Sequence, residues 1–269
     1  MDLFNSVFLG IIQGLTEFLP ISSSGHLVIF QQILGIEEPE IFFDICLHVG
    51  TLGAILIFYF KRILKLTVSC FDFKGIKNNS NKDFEIVIMI ITGSIPTAAI
   101  GLLIKKFSDQ IFSNIILTGF MLLVTSSFLF ASKFLNASEK KDKGLLKSIK
   151  NALIIGTVQG FAVFPGISRS GSTIVTGLFL GLDKKIAAEF SFLLSVPAIL
   201  GAQLLSLKDV SPEYISQNLF FVITGTLISF ITGYIALVIL IRVLKKGKFY
   251  YFAPYCILAS AVCFVLAYI

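Results

Sequence analysis

The chain has 269 residues, of which 55% are hydrophobic and only 14% charged. That balance excludes an ordinary water-soluble domain and places the chain among integral membrane proteins. Its net charge of +6 does not read as a nucleic-acid footprint, because the cations gather in short segments between apolar stretches.

The N-terminus does not read as a signal peptide. Asp2 stands where a basic region belongs, and Gln13, Glu17 and Pro20 follow without a small-residue cleavage site. Residues 3–34 are apolar but broken near the centre by Pro20-Ile-Ser-Ser-Ser-Gly25. Pro and Gly interrupt a helix, and serine hydroxyls can satisfy the backbone groups set free. Each half is too short to span a bilayer, which takes ~20 apolar residues, so the segment reads as a re-entrant helical hairpin. Spans of sufficient length follow at about 41–60, 84–104 and 111–132. A second broken segment, 152–182, is interrupted by Pro165-Gly-Ile-Ser-Arg-Ser-Gly171, and three more spans follow at 187–207, 219–241 and 250–269. Cys46, Cys70, Cys256 and Cys263 have no metal-binding spacing and read as packing residues.

The two broken segments repeat one another. With a fixed shift of 146 positions, Gly10, Gln13, Gly14, Phe18, Ile21, Ser22, Ser24 and Gly25 coincide with Gly156, Gln159, Gly160, Phe164, Ile167, Ser168, Ser170 and Gly171. A second echo pairs Ile91-Thr92-Gly93 and Gly101 with Ile223-Thr224-Gly225 and Gly233. Duplication in an apolar chain, with broken helices in both copies, marks inverted-repeat membrane proteins. The expected fold is an all-α polytopic membrane protein, a single domain over 1–269 with six transmembrane helices and two re-entrant hairpins. The first repeat covers 1–135 and the second 150–269. One hairpin plus three crossings is an odd count, so the second copy is inverted and the hairpin tips can meet inside the membrane.

Loops 61–83, 133–150, 183–186 and 242–249 hold 18 of the 22 Lys and Arg, against Lys105, Lys106 and Lys208 on the other side. The positive-inside rule makes the rich side cytoplasmic. Both termini and the Gly35–Glu40 segment are then expected outside.

Arg169 is the one cation left inside the membrane. A buried arginine costs ~2.5–3.5 kcal/mol on insertion scales, so it calls for a purpose: an ion pair with Glu17 or Asp44, or a clamp for phosphate oxygens, which guanidinium forks match. Ser22, Ser23, Ser24 and Gly25 should open the second half-helix of the first hairpin, and Ser168, Ser170, Gly171 and Thr173 that of the second. Two helix N-termini aimed at one point form an anion site; each serine can also be read simply as an N-cap. Ser23 and His26 fall on one helical face, and a Ser–His pair opposite a cation is a layout for nucleophilic attack on a phosphoryl or acyl centre. Glu17, with Gln13 one turn before it, can hold a divalent metal or handle a proton. Asp44 and His48 share a face of the next span, and Glu189 opens the span after the second hairpin; all three are candidates either to bound the cavity or to serve as interfacial or packing residues. Glu85 lies at a membrane edge and needs no special role.

At these residues the chain resembles a known family. Gln13-Gly-Leu-Thr-Glu17-Phe-Leu-Pro-Ile-Ser-Ser23-Ser-Gly-His26 and Pro165-Gly-Ile-Ser-Arg169-Ser-Gly-Ser-Thr173, with Glu189-Phe-Ser-Phe-Leu-Leu-Ser-Val-Pro197, look like the signature motifs of the undecaprenyl-diphosphate phosphatases, the bacitracin-resistance membrane phosphatases of bacteria. The resemblance covers nearly the whole chain. It implies hydrolysis of the terminal phosphate of undecaprenyl diphosphate at the outer face of the plasma membrane, which recycles the lipid carrier of cell-wall synthesis. It implies Ser23, His26, Arg169 and Glu17 as the essential residues and Mg²⁺ or Ca²⁺ as cofactor. Many members have Glu where Gln13 stands, which shifts weight to Glu17. Ser23 is the first choice of nucleophile, activated by His26; attack by His26 itself or by a metal-bound water stays open. The partners expected are the prenyl diphosphate, the bilayer and a second copy in a homodimer, with no nucleic acid. The rival reading is a prenyl-phosphate transporter on the same inverted repeat.

Overall fold

The computed structural model describes residues 2–36, 41–72, 81–135, 144–206, 212–246 and 249–268, and among these every regular element is helical. In chain order they are α1 (Leu3–Phe18), α2 (Ser23–Ile33), α3 (Ile41–Phe58), α4 (Phe60–Ser69), α5 (Lys82–Lys105), α6 (Ser108–Phe112), α7 (Ile115–Ala131), α8 (Gly144–Phe161), α9 (Arg169–Phe179), α10 (Lys184–Ser206), α11 (Pro212–Lys246) and α12 (Ala253–Leu266). Among the described residues five stretches, built on α5, α7, α10, α11 and α12, are long and apolar enough to cross a membrane, and α3 with α4, bent by 73°, counts as a sixth when the pair is taken as one span. These are the six stretches expected from the sequence, with two differences. The 111–132 span starts at Ile115, because Asn114 caps it by accepting from the Leu117 amide at 2.9 Å. The 61–83 loop opens with the basic, amphipathic helix α4 rather than irregular chain. Residues 37–40, 73–80, 136–143 and 207–211, parts of the segments used to assign the two sides, lie outside the described residues.

Both broken segments fold back on themselves. Phe8 of α1 meets Phe30 of α2 edge to face at 5.2 Å, and Leu9 packs with Leu27. Ala152 and Ile155 of α8 pack with Leu180 and Leu182 just beyond α9. The open ends of these hairpins lie at opposite ends of α5. Gln32 and Gly35 share a surface pocket with Ser113 and Asn114, which follow the C-terminal end of α5. Ser148 of α8 donates instead to Glu85 in the first turn of α5.

Lipid tails supply no hydrophobic drive between helices, so close packing of small residues does that work. Gly10 and Gly14 of α1 press against Gly225, Ser229 and Gly233 of α11, and Gly156 of α8 presses against Gly93 of α5. These are the glycines that the two sequence echoes bring into register. Interior hydroxyls tie neighbouring backbones: Thr97 donates to the Gly156 carbonyl at 2.8 Å, Ser229 to Leu47 at 2.8 Å, and Ser260 to Gly119 at 2.8 Å. The outer surface is apolar, with Ile95, Leu103, Phe220, Leu227 and Leu258 each more than half exposed, as lipid contact requires. The α5–α8 crossing gives a stability prediction. A Cβ on Gly156 would lie 2.0 Å from the Gly93 carbonyl oxygen, whereas one on Gly101 would meet nothing nearer than 4.0 Å. Gly156→Ala should therefore destabilise the protein by ~1–3 kcal/mol and lower its melting temperature in detergent, while Gly101→Ala should leave it unchanged or slightly raised.

Candidate active site

The two helix breaks meet at the centre of the molecule. Pro20 brings no amide proton to the end of α1, and the next turn is made by Ser22 in the left-handed region at φ 70°. Such a conformation costs a non-glycine residue ~1–3 kcal/mol. It is held by the Ser22 hydroxyl, which accepts from the Gly25 amide at 3.2 Å and, across the repeat, from the Gly166 amide at 3.0 Å. Gly166 has φ 100°, and a Cβ there would fall 2.4 Å from the Thr118 carbonyl. Thr125 of α7 locks this second tip by donating to the Gly166 carbonyl at 2.6 Å and accepting from the Ser168 amide at 2.9 Å.

Across this junction Arg169, the first residue of α9, reaches Glu17 near the end of α1. Arg169 Nη2 donates to Glu17 Oε1 at 2.5 Å. The same guanidinium leaves Nη1 buried with no partner. Glu17 Oε2 accepts from Ser23 Oγ at 2.6 Å and from Gln13 Nε2 at 2.9 Å, and His48 Nε2 lies 3.5 Å away. Gln13, Glu17, Ser23, His26 and Ser170 are all buried.

The residues read from the sequence are brought together partly as expected and partly otherwise. Arg169 makes the ion pair with Glu17 that was one of its two readings, through Nη2, while Nη1 has no partner. Ser23 and His26 do share a face of α2, yet they do not bond to one another. Ser23 turns back to Glu17. His26 is drawn off by the Ser22 carbonyl, 2.7 Å from Nδ1, and by the Tyr255 hydroxyl of α12, 2.7 Å from Nε2.

The proposed phosphate donors divide as well. Ser22 and Ser168 serve as N-caps, so the Gly25 and Gly171 amides are already bonded to their hydroxyls. Thr173 faces Ser191 at 2.6 Å and the Arg169 carbonyl. The Ser170 hydroxyl donates to the Leu19 carbonyl at 3.3 Å, and that of Ser24 lies 3.4 Å from Ser22 Oγ. What remains for an anion are the first-turn amides at Ser23, Ser24, Arg169 and Ser170, which have no acceptor within their own helices, together with Arg169 Nη1. Asp44 accepts from Gln31 at 2.8 Å, while His48, one turn on, faces Glu17. Glu189 does not bound this site. It accepts from Arg62 Nε at 2.5 Å, and Arg62 also holds Asp83 at 2.6 Å, in a cluster at the α4 end of the molecule.

The family model described as bacitracin resistance protein BacA matches residues 6–262. The chain belongs to the BacA family. It is 47% identical over 270 residues to a protein of Desulfosudis oleivorans named undecaprenyl-diphosphatase, with 97% of each chain covered. It is 44% identical over 280 residues to one of that name from Desulforapulum autotrophicum, with both chains covered completely, and 40% identical over 277 residues to one from Methanosphaera stadtmanae, with 99% of each covered. In this BacA-family chain both sequence motifs lie at the helix breaks that meet.

The expected divalent cation can be tested against the donors present. Among the described residues no group of three or more His, Cys, Asp and Glu could hold a metal ion. Gln13 nevertheless turns its NH₂ to the carboxylate of Glu17, which leaves Oε1 buried without a partner. Gln13 Oε1 and the Glu17 carboxylate are the oxygens a hard cation such as Mg²⁺ would use, its remaining ligands coming from substrate phosphates and water.

Proposed function

We propose that this chain hydrolyses undecaprenyl diphosphate to undecaprenyl phosphate and inorganic phosphate, recycling the lipid carrier of cell-wall synthesis and so conferring bacitracin resistance. The observation that carries this reading is Arg169: a half-buried guanidinium whose Nη2 holds Glu17 and whose buried Nη1 has no partner, where two helix N-termini converge. The terminal phosphate is held by Arg169 Nη1 and the first-turn amides of α2 and α9, which neutralise charge spread over its three outer oxygens. Ser23 Oγ attacks phosphorus in line, and its proton passes to Glu17 Oε2. The bond from phosphorus to the bridging oxygen breaks, and undecaprenyl phosphate leaves. Water then attacks the phosphoserine; His26 takes a proton from it, and Glu17 returns one to Ser23 as phosphate departs. Gln13 and Glu17 are the residues that would hold the cation, which supplies further positive charge to the diphosphate oxygens when bound. Purified protein in detergent, with Mg²⁺ or Ca²⁺ present, should release phosphate from undecaprenyl diphosphate. A prenyl-phosphate transporter would release none, since detergent leaves no second compartment.

The site opens to the outer face of the plasma membrane in this reading, with the second repeat inverted relative to the first and both termini outside. The charge asymmetry of the loops supports this orientation. In cells carrying single-cysteine variants on a cysteine-free background, a membrane-impermeant thiol reagent should label Asp2→Cys and Ser113→Cys. It should spare Asp72→Cys and Lys133→Cys; all four positions are exposed. The reverse pattern would turn the site toward the cytoplasm.

A further inference from the structure

We propose that Tyr255 is the positioning residue for His26, holding its imidazole in the tautomer and orientation in which Nε2 can accept a proton. The inference rests on the reading of the site as a phosphatase. It starts from the two hydrogen bonds of His26. Nδ1 lies 2.7 Å from the Ser22 carbonyl oxygen, and a carbonyl only accepts, so Nδ1 carries the hydrogen. In the neutral ring Nε2 then has a lone pair, and the group facing it at 2.7 Å is the Tyr255 hydroxyl, which donates. The two rings lie parallel, 1° apart in plane and 5.6 Å between centroids.

A hydroxyl suits this place for a physical reason. It donates to Nε2 while the imidazole is neutral and accepts from Nε2–H once the ring has taken up a proton. The same partner therefore holds the ring before and after proton uptake, giving way at Nε2 only while the water is deprotonated, whereas a carboxylate would hold the ring as a cation. His26 itself is buried, 3% exposed, so the ring depends on these two partners for its orientation. Tyr255 comes from the last helix, 229 positions from His26, so it ties the end of the chain to the first motif.

Tyr255→Phe tests this, because it keeps the ring and removes only the hydroxyl. The expected result is a fall in kcat of ~10- to 100-fold, as is common for residues that orient a reactive group and less than the ~10²–10⁴ contributed by an acid–base group itself. KM should stay within about twofold, since the phenol oxygen is not among the phosphate donors. The chain contains only two histidines, so ¹⁵N-histidine labelling gives two imidazoles, and His48→Gln assigns them. In the wild type the His26 ring should show a protonated Nδ1 and a hydrogen-bonded Nε2; in Tyr255→Phe the Nε2 resonance should move. An unchanged kcat, an effect confined to KM, or an unmoved Nε2 resonance would each overturn the proposal. If the wild type released no phosphate, the phosphatase reading would fail, and the resonance would still decide whether Tyr255 holds the ring.

Discussion

Arg169→Lys should be almost as inactive as Arg169→Ala. Loss of one donor that stabilises charge in a transition state typically costs ~10²–10³ in rate, and arginines in phosphoryl transfer can contribute ~10³–10⁵. Both substitutions should fall in this range, because the guanidinium does two things at once: Nη2 holds Glu17, and Nη1 is available to the phosphate. A lysine ammonium is a single point charge on a flexible stem and cannot span both sites. Stability should separate the variants where activity does not. Arg169→Ala leaves the Glu17 carboxylate buried without its main countercharge, and breaking a buried pair from one side costs ~3–5 kcal/mol. Lysine retains a countercharge and should lose less, and pairing Arg169→Ala with Glu17→Gln should recover part of the stability without recovering turnover. Substantial turnover by Arg169→Lys would show that a simple countercharge suffices.

Ser23→Ala is expected to bind the prenyl diphosphate and fail to hydrolyse it, with turnover reduced by at least ~10³, on the scale of removing a catalytic nucleophile. The helix amides, Arg169 and the apolar surroundings all remain in this variant. Ser23 is distinguished from its neighbours by its bond to Glu17 Oε2 at 2.6 Å, so Glu17→Gln should share the loss of turnover while keeping its shape. Ser24→Ala should be milder, since its hydroxyl makes only a long contact to Ser22 Oγ. Phosphate release and lipid binding measured side by side decide the matter. Near-wild-type hydrolysis by Ser23→Ala would remove Ser23 as nucleophile and leave His26 or a metal-bound water.

The breaks in the helices were legible because proline, glycine and serine act locally. Ser22 and Ser168 cap the half-helices that follow them, as their positions after the prolines suggest. Arg169 was legible because a cation inside an apolar chain has few reasons to be there. Which partner each side chain chooses was not legible. Helical spacing places Ser23 and His26 on one face, but it cannot say that α1 returns a carboxylate to Ser23 while α12 brings a phenol to His26. Thr125 and Tyr255 carry no motif; each is one of several polar groups in an apolar span, and only tertiary packing gives it meaning. Helix α4 was read as part of the 61–83 loop; its charges lie along an amphipathic helix, and Arg62 is held by Glu189 and Asp83 from two other helices.

The most direct test of the account is the position of a bound, non-hydrolysable methylene analogue of undecaprenyl diphosphate in an experimental structure. The terminal phosphonate should lie between the two helix breaks, with an oxygen ~3 Å from Arg169 Nη1 and its phosphorus ~3–3.5 Å from Ser23 Oγ, a near-attack distance. A phosphonate seated elsewhere, at the Arg62–Glu189 cluster or in the pocket beside Gln32 and Asn114, would contradict it.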